Sequence, residues 1–328
     1  MSLWDKKISP MLAFLSNPFD SKEWIFEVKF DGTRTIAYLD LEKNSFKFLN
    51  RRGIFFEKRY PEILKDIPNS INAKKVIIDG EICVFEGGKP NFYKLAEREQ
   101  VGSKFRIELL SKLMPATFIV FDILHLDGDD LIDLPLMERK KILRKTVKES
   151  NNILISSWVE EKGIKFFEEV KKRELEGIVA KKKDSRYEIG KRSKNWLKIK
   201  VFKSLDCIVL GYTKGKGMRE EYFGALLCGI YFKNKLSYLG KVGTGFSEFD
   251  LKILKNLLKD IQVDKKYFEG GDEIEEETYF VEPKLVIEVS FMSLTPDLKF
   301  RAPSFKKIRN DKKASECVLD ESDLAFLL

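Results

Sequence analysis

The chain has 328 residues, 43% of them hydrophobic and 12% aromatic, and a net charge of +8. That length suits about two domains, and the apolar content excludes a mainly disordered chain. A lone histidine, His125, excludes sites built on several imidazoles, and four cysteines without a CxxC pair exclude a zinc ribbon or a disulfide framework.

In chain order, β-branched and aromatic residues predict strands over 24–30, 35–41 and 46–50, with DGTR as the turn between the first two. A short helix is expected over 60–67, with Pro61 in its first turn. VIIDGEICVF (76–85) reads as two strand pieces around Asp-Gly, and 92–102 as a helix ending at Gly102. A buried strand is expected over 116–124. A helix follows over 135–150, with Met137, Ile142 and Val147 on one stripe. A strand at 153–159 and a helix at 163–175 come next, then strands at 177–182 and 196–200 on either side of the loop DSRYEIGKRSKN. After residue 203 the texture changes to alternating strands and Gly-rich turns, with one helix at 248–261. Roughly five strands and a helix fit a small oligonucleotide-binding barrel. The expected domains are therefore 1–203 and 204–328.

Charge is uneven. Residues 181–200 carry a net +7 and 299–313 a net +6, which points to a polyanion partner, although Lys-rich faces can also be merely solvated. EGGDEIEEE (269–277) reads as an acidic surface loop with no assigned role. No apolar run approaches the ~18 residues needed to span a bilayer. The opening MSLWDKKISPML lacks the apolar stretch of a secretory signal, so a soluble, cytoplasmic protein is expected.

Several short segments carry chemistry. Strand alternation places Glu27 and Lys29 on one face, with Asp31 next along it. Alone, Lys29 fits a salt-bridged surface lysine as well as a nucleophile. DGE (79–81) sets two acids around a glycine, and Asp79 suits either a turn cap or a catalytic role. Glu176 opens EGIVAKK, Lys198 and Lys200 share one face of WLKIK, and Phe121 suits either the core or a stacking surface. Trp196 is expected to pack between the domains. A lysine that attacks an α-phosphate must lose its proton, and neighbouring cations favour that loss while also neutralising the phosphate. Mg²⁺ needs only one or two carboxylates beside phosphate oxygens. No GxxxxGK[ST] loop is present.

The ordered set KFDGTR, NRRG, DGE, FDILHLDG, EGIVAKK, WLKIK and RAPSFKKIRNDK resembles the ATP-dependent DNA ligases, in particular the compact bacterial and archaeal type associated with end joining. The likeness spans nearly the whole chain. It implies an α+β protein: a nucleotidyltransferase (adenylation) domain followed by a β-barrel OB-fold domain. Lys29 then matches the lysine that becomes adenylated. Glu27 matches the adenine reader, Arg34 the arginine near the ribose and the DNA 5′-phosphate, Phe121 the stacking ring, and Lys198 and Lys200 the α-phosphate pair. Glu81 matches a carboxylate near ribose or metal and Glu176 the main metal-side carboxylate, with Asp31 a further metal candidate. Arg309, Asp311 and Lys312 match the motif that orients pyrophosphate. Arg34, Arg51, Arg52, Lys181, Lys182, Arg186 and Arg192 are the expected DNA contacts.

The resemblance further implies ATP and Mg²⁺, with Mn²⁺ as a substitute, and three steps: lysyl-AMP formation, transfer of AMP to a DNA 5′-phosphate, and sealing by the 3′-hydroxyl. It also implies a swing of the barrel between steps about a hinge near Lys203. Lys29 lies so near the start that the extra helical DNA-binding domain of larger ligases is not expected. A monomer of modest affinity follows, helped on nicked or broken duplex DNA by a Ku-like end-binding protein or a sliding clamp. An RNA ligase and an mRNA capping guanylyltransferase are the rival enzymes, and a non-enzymatic OB-fold binder is the rival of another class.

Overall fold

The structure, a computed structural model, describes residues 2–327. It divides into two compact units, Met1–Val201 and Phe202–Leu328.

The first unit is built on two sheets. One has the order Leu12–Leu15, Arg192–Lys200, Gly177–Lys182, Ser21–Val28 and Trp158–Glu161. The other runs Ser45–Asn50, Thr33–Asp40, Lys75–Glu86, Ala116–Leu126 and Asp129–Asp130, with Lys89–Pro90 and Ile153–Ile155 paired onto it. Ala116–Leu126 is buried along nearly its whole length because both of its faces are covered. Helix Gly163–Lys172 packs Phe167 and Val170 onto the first sheet, beside Phe26, Ile178 and Ile199. Helices Pro61–Ser70 and Leu136–Thr146 give Ile63, Ile67 and Leu143 to the core of the second.

Four expectations change here. Lys75–Glu86 is one continuous strand. Gly80 is no break: a Cβ there would meet the Phe118 ring at 2.4 Å and the Ile119 carbonyl at 2.6 Å, so glycine serves close strand approach. Residues 153–159 form two strands in different sheets, and the chain crosses between them at Ser156 and Ser157. The helix expected to end at Gly102 stops at Gln100, and a second helix, Lys104–Leu113, follows with no fully buried residue. In helix Leu136–Thr146 the buried row is Leu136, Arg139, Lys140, Leu143 and Thr146, whereas Met137 and Ile142 are only half-buried. Two charged side chains thus point inward, toward carboxylates on distant strands.

The second unit is an OB-fold barrel of mixed strand and helix. Lys203–Lys214 pairs with Phe223–Phe232, Thr278–Val281 and Val286–Phe291, and Lys235–Val242 pairs with Phe223–Phe232. Its sheet has eight strands rather than five. The additions include the short Gln262–Val263 and Val318–Leu319, and Ser304–Ile308 from within the basic tail. Helix Glu248–Asp260 starts in a capping box between Ser247 and Asp250 and buries Leu251, Leu254 and Leu258. All four cysteines are buried and free. Among the described residues no helix is long and apolar enough to cross a membrane.

Candidate active site

Register on the first sheet builds one wall of a cleft. Glu27, Val179 and Lys198 lie in one row across three strands; on the same face, Lys181 and Trp196 pair two residues along, and Gly177 and Lys200 two residues the other way. The Lys29 N–H donates to the Gly177 carbonyl (2.9 Å) where the strand ends. Gly177 has φ +144°, and a Cβ there would lie 2.1 Å from the Ile199 carbonyl. Only glycine brings the strands this close. The approach sets Glu176 beside the nucleophile candidate: Lys29 Nζ lies 2.6 Å from Glu176 Oε2, and Lys200 Nζ lies 3.2 Å from Oε1.

The second sheet supplies Arg34, Glu81 and Phe121. The guanidinium of Arg34 donates from Nε and Nη2 to both oxygens of Asp79, at 2.6 and 2.7 Å. Asp79 is fully buried and also accepts from the Tyr187 hydroxyl at 2.6 Å. Asp79 therefore orients Arg34 instead of capping a turn. Burial works against the Arg34 charge, and Asp79 more than restores it. Arg34 lies 4.5 Å from the Phe121 ring centre, and Lys181 lies 4.2 Å from it.

Lys29, Arg34, Glu81, Phe121, Lys198 and Lys200 line a cavity of about 280 Å³ that also takes in Arg51 and Arg192. Its electrostatics favour an anion. Burial pushes the Lys198 ammonium down, and Lys200, Arg192, Lys29 and Arg51 push it further. Burial raises the Glu81 carboxyl to about 7, with Glu176 and Asp79 adding to the rise against Arg34 and Lys29. An apolar ring beside many cations and a lysine amine suits a polyphosphate carried on a planar base, with a nucleophile at the phosphate end.

In the floor of the cleft, Glu27 is 2% exposed and pairs with Lys140 (2.5 Å) and Lys181 (3.0 Å), and it accepts from the Ser156 hydroxyl (3.0 Å). Burial pushes the Glu27 carboxyl up, and the two lysines more than reverse this, leaving it below the ordinary range. Lys181, expected on a DNA-facing surface, is instead buried against Glu27, Phe121 and Trp196. Burial lowers its ammonium to about 8. Trp196, expected between the domains, packs within 2–201 against Phe121 and Tyr187.

Other expected residues lie apart. Arg52 is exposed and does not line the cavity, and Asp31 is half-buried just past the strand. Lys182 faces outward near Asp184 (3.6 Å), and Arg186 near Asp133 (3.5 Å). In the second unit, Arg309 Nη1 lies 2.8 Å from both Asp206 oxygens and Lys312 Nζ lies 2.9 Å from one of them. Arg309 also holds Asp311, whose carboxyl drops to about 2. Motif reading did not find Lys140, Ser156 or Tyr187 as supporting residues. Only Tyr187 left a sequence signal, as the one aromatic residue in a charged loop.

Residues 10–200 match the family described as ATP dependent DNA ligase domain, and residues 219–312 match the ATP dependent DNA ligase C terminal region. The chain is 33% identical over 315 residues to the multifunctional non-homologous end joining protein LigD of Mycolicibacterium smegmatis, covering 94% of this chain and 39% of that protein. It is 32% identical over 333 residues to a DNA ligase of Thermococcus fumicolans, covering 95% of this chain and 57% of that protein. It thus spans well under two thirds of either relative. The solved ligase domain of M. tuberculosis LigD overlays 98% of this chain and all of that one, with a TM-score of 0.53 and 27% identity. A Lig E DNA ligase shares the fold at a TM-score of 0.59 and 20% identity, over 92% of this chain and 99% of that one. The chain belongs to the ATP-dependent DNA ligases.

Proposed function

We propose that this chain seals 5′-phosphate/3′-hydroxyl nicks in duplex DNA, with Lys29 as the nucleophile that carries AMP. The observation that carries this reading is the placement of Lys29 Nζ against Glu176 in a cleft that also holds Lys198, Lys200, Arg34 and Phe121. Adenine stacks on Phe121, and Glu27, oriented by its two lysines, accepts from the exocyclic amine. Lys198 and Lys200 take the α-phosphate oxygens and neutralise the charge that resists an incoming lone pair. Glu176 orients the Lys29 amine, which attacks the α-phosphorus. A P–N bond forms, the bond to pyrophosphate breaks, and the amine proton is released. Arg309 and Lys312 meet the leaving pyrophosphate. A DNA 5′-phosphate then displaces Lys29 from AMP, and the 3′-hydroxyl displaces AMP from the activated end. Arg34, Arg51 and Arg192 hold the broken strand by its phosphates.

Mg²⁺ fits as an ion shared with phosphate. Burial raises the Glu81 carboxyl, the charge of Glu176 adds to the rise, and a cation between them would relieve both. Among the described residues no group of three or more His, Cys, Asp or Glu side chains gathers to cage a metal. Glu176 and Glu81 would hold the ion, which supplies positive charge to the phosphates of the nucleotide.

The end-joining relative supports a role in break repair; the proposal adds a Ku-like protein or a sliding clamp that supplies grip to a monomeric enzyme in the cytoplasm, on the nucleoid in a prokaryote. Mass spectrometry after exposure to ATP and Mg²⁺ tests the core reading. A single AMP adduct on Lys29 is expected, followed by sealing of nicked DNA in preference to nicked RNA. No adduct with ATP, or an adduct with GTP alone, overturns it.

A further inference from the structure

The acidic segment 269–277 is largely exposed but lies along the surface of its own unit. Among the described residues, five of its six acids each face a lysine of the same unit. Glu269 pairs with Lys235 (2.9 Å), Asp272 with Lys266 (2.9 Å) and Glu273 with Lys299 (3.3 Å). Glu276 pairs with Lys241 (2.5 Å) and Glu277 with Lys214 (2.9 Å). These lysines come from separate parts of the barrel. Lys214 ends the strand Lys203–Lys214, Lys235 and Lys241 lie on Lys235–Val242, and Lys266 and Lys299 stand in connecting segments.

The segment is a strap tied at both ends. The Glu269 N–H donates to the Leu236 carbonyl (2.9 Å), and the Lys214 N–H donates to the Glu277 carbonyl (2.9 Å). Between these ties, Gly270 and Gly271 both have φ +81°, and Ile274 is the one apolar side chain, half-buried against the barrel core. The middle of the strap is therefore held by a single isoleucine and by ion pairs open to water. Such pairs are weak and salt-screened, so another polyanion can exchange for them.

Three of the lysines lie where OB folds take nucleic acid. The habitual ligand face is formed by the second and third strands and the loop between the first and second. Here Lys235 and Lys241 sit on the third long strand, and Lys214 opens the first loop. With six acids and no base in nine residues, the strap is complementary in charge to these lysines.

We infer that Lys214, Lys235, Lys241, Lys266 and Lys299 form a phosphate-binding face for duplex DNA, and that the acidic strap 269–277 occupies this face as a built-in competitor when DNA is absent. The inference rests on the reading of duplex DNA as the substrate. DNA must lift the strap to reach the lysines. That lowers affinity for intact duplex and makes engagement depend on contacts made elsewhere at a nick.

The test begins with the parent protein, whose AMP labelling and nick sealing are measured first; failure there overturns the ligase reading itself. The triple variant Glu273→Gln/Glu276→Gln/Glu277→Gln is then compared with Glu248→Gln/Glu282→Gln/Glu321→Gln. The second set removes the same charge from acids of the same unit that also pair with lysines, Lys252, Lys284 and Lys233. The strap set is expected to tighten binding of nicked duplex at least about fivefold beyond the control set, with a steeper salt dependence. Equal tightening in the two sets overturns the inference. As a second arm, Lys241→Cys/Glu276→Cys is closed with dibromobimane, a short thiol crosslinker; the native cysteines are all buried. Closure should weaken DNA binding by about tenfold and leave labelling of Lys29 by ATP unchanged. Unchanged DNA affinity on closure also overturns it.

Discussion

Glu27 and Glu276 each lie 2.5 Å from a lysine Nζ, but the first carboxylate is 2% exposed and the second 39%. In the first unit the pair belongs to a buried set with Lys181 and Ser156, in the floor of the cleft. Desolvating three charges is costly, and the cost is met only because every partner stays in place. In the second unit the same contact is bathed in solvent, where side-chain entropy and salt offset most of its attraction. Distance alone therefore says little about what an ion pair does. The buried set fixes the direction of one carboxylate under a nucleotide site, and the exposed set forms a surface that can change partners.

The largest expected effect lies in the cleft. Lys29→Ala removes the amine proposed to form the P–N bond. Nick sealing from ATP should fall at least about 1,000-fold, with no AMP adduct by mass spectrometry. A Lys29→Ala protein that still takes up AMP would place the nucleophile elsewhere.

Next comes the buried set itself. Glu27→Gln leaves Lys140 and Lys181 without their anion, and should cost about 3–5 kcal/mol of stability in denaturant unfolding. Glu276→Gln should leave the same curve unmoved. The pH dependence has a definite sign. Glu27 has a folded value below its ordinary 4.5, so its contribution is fully present above about pH 4.5 and is lost as pH falls through the folded value. Glu27→Gln should therefore lose less stability on acidification than the parent, whereas Glu276→Gln should follow the parent. Parallel acid curves for Glu27→Gln and the parent would show that the carboxylate is not held as described.

A smaller effect is expected in the second unit. Lys312→Ala removes one cation proposed to meet the leaving pyrophosphate, so adenylation of Lys29 should slow by about 10–100-fold while sealing of pre-adenylated DNA stays near the parent rate. Equal loss in both assays would remove the assignment.

Much of the cleft was legible because its chemistry sits in short segments. KFDGTR, EGIVAKK and WLKIK each carry their own charges, and strand alternation brings Glu27, Lys29, Lys198 and Lys200 to one wall. The supporting residues were not legible, because their reasons lie far away in the chain. Arg139 and Lys140 look like the solvent side of a helix. They turn inward because Asp122 and Glu27 wait there, on strands 17 and 113 residues earlier. Gly80 looks like a turn until the Phe118 ring is seen against it. The run 153–159 looks like one strand, because alternation cannot report that its halves join different sheets. The acidic stretch looked like a loop without a role, since its lysine partners are scattered from 214 to 299.

The smallest effect separates two arginines that the sequence treats alike. Arg51 and Arg52 stand side by side in NRRG and both are exposed, but only Arg51 lines the cleft, where it adds to the field that lowers the Lys198 ammonium. A phosphate held there releases about one counterion. Arg51→Ala should therefore weaken nicked-duplex binding and reduce the slope of log affinity against log salt by about 1. Arg52→Ala, whose backbone N–H is tied to the Asn50 side chain and whose guanidinium does not face the cleft, should leave the slope nearly unchanged. Equal slopes for the two variants would mean that the DNA backbone runs across the outer surface of NRRG. In that case the exposed charges of the first unit would bind DNA as the lysines under the strap do, by sharing a broad face with no single fixed contact.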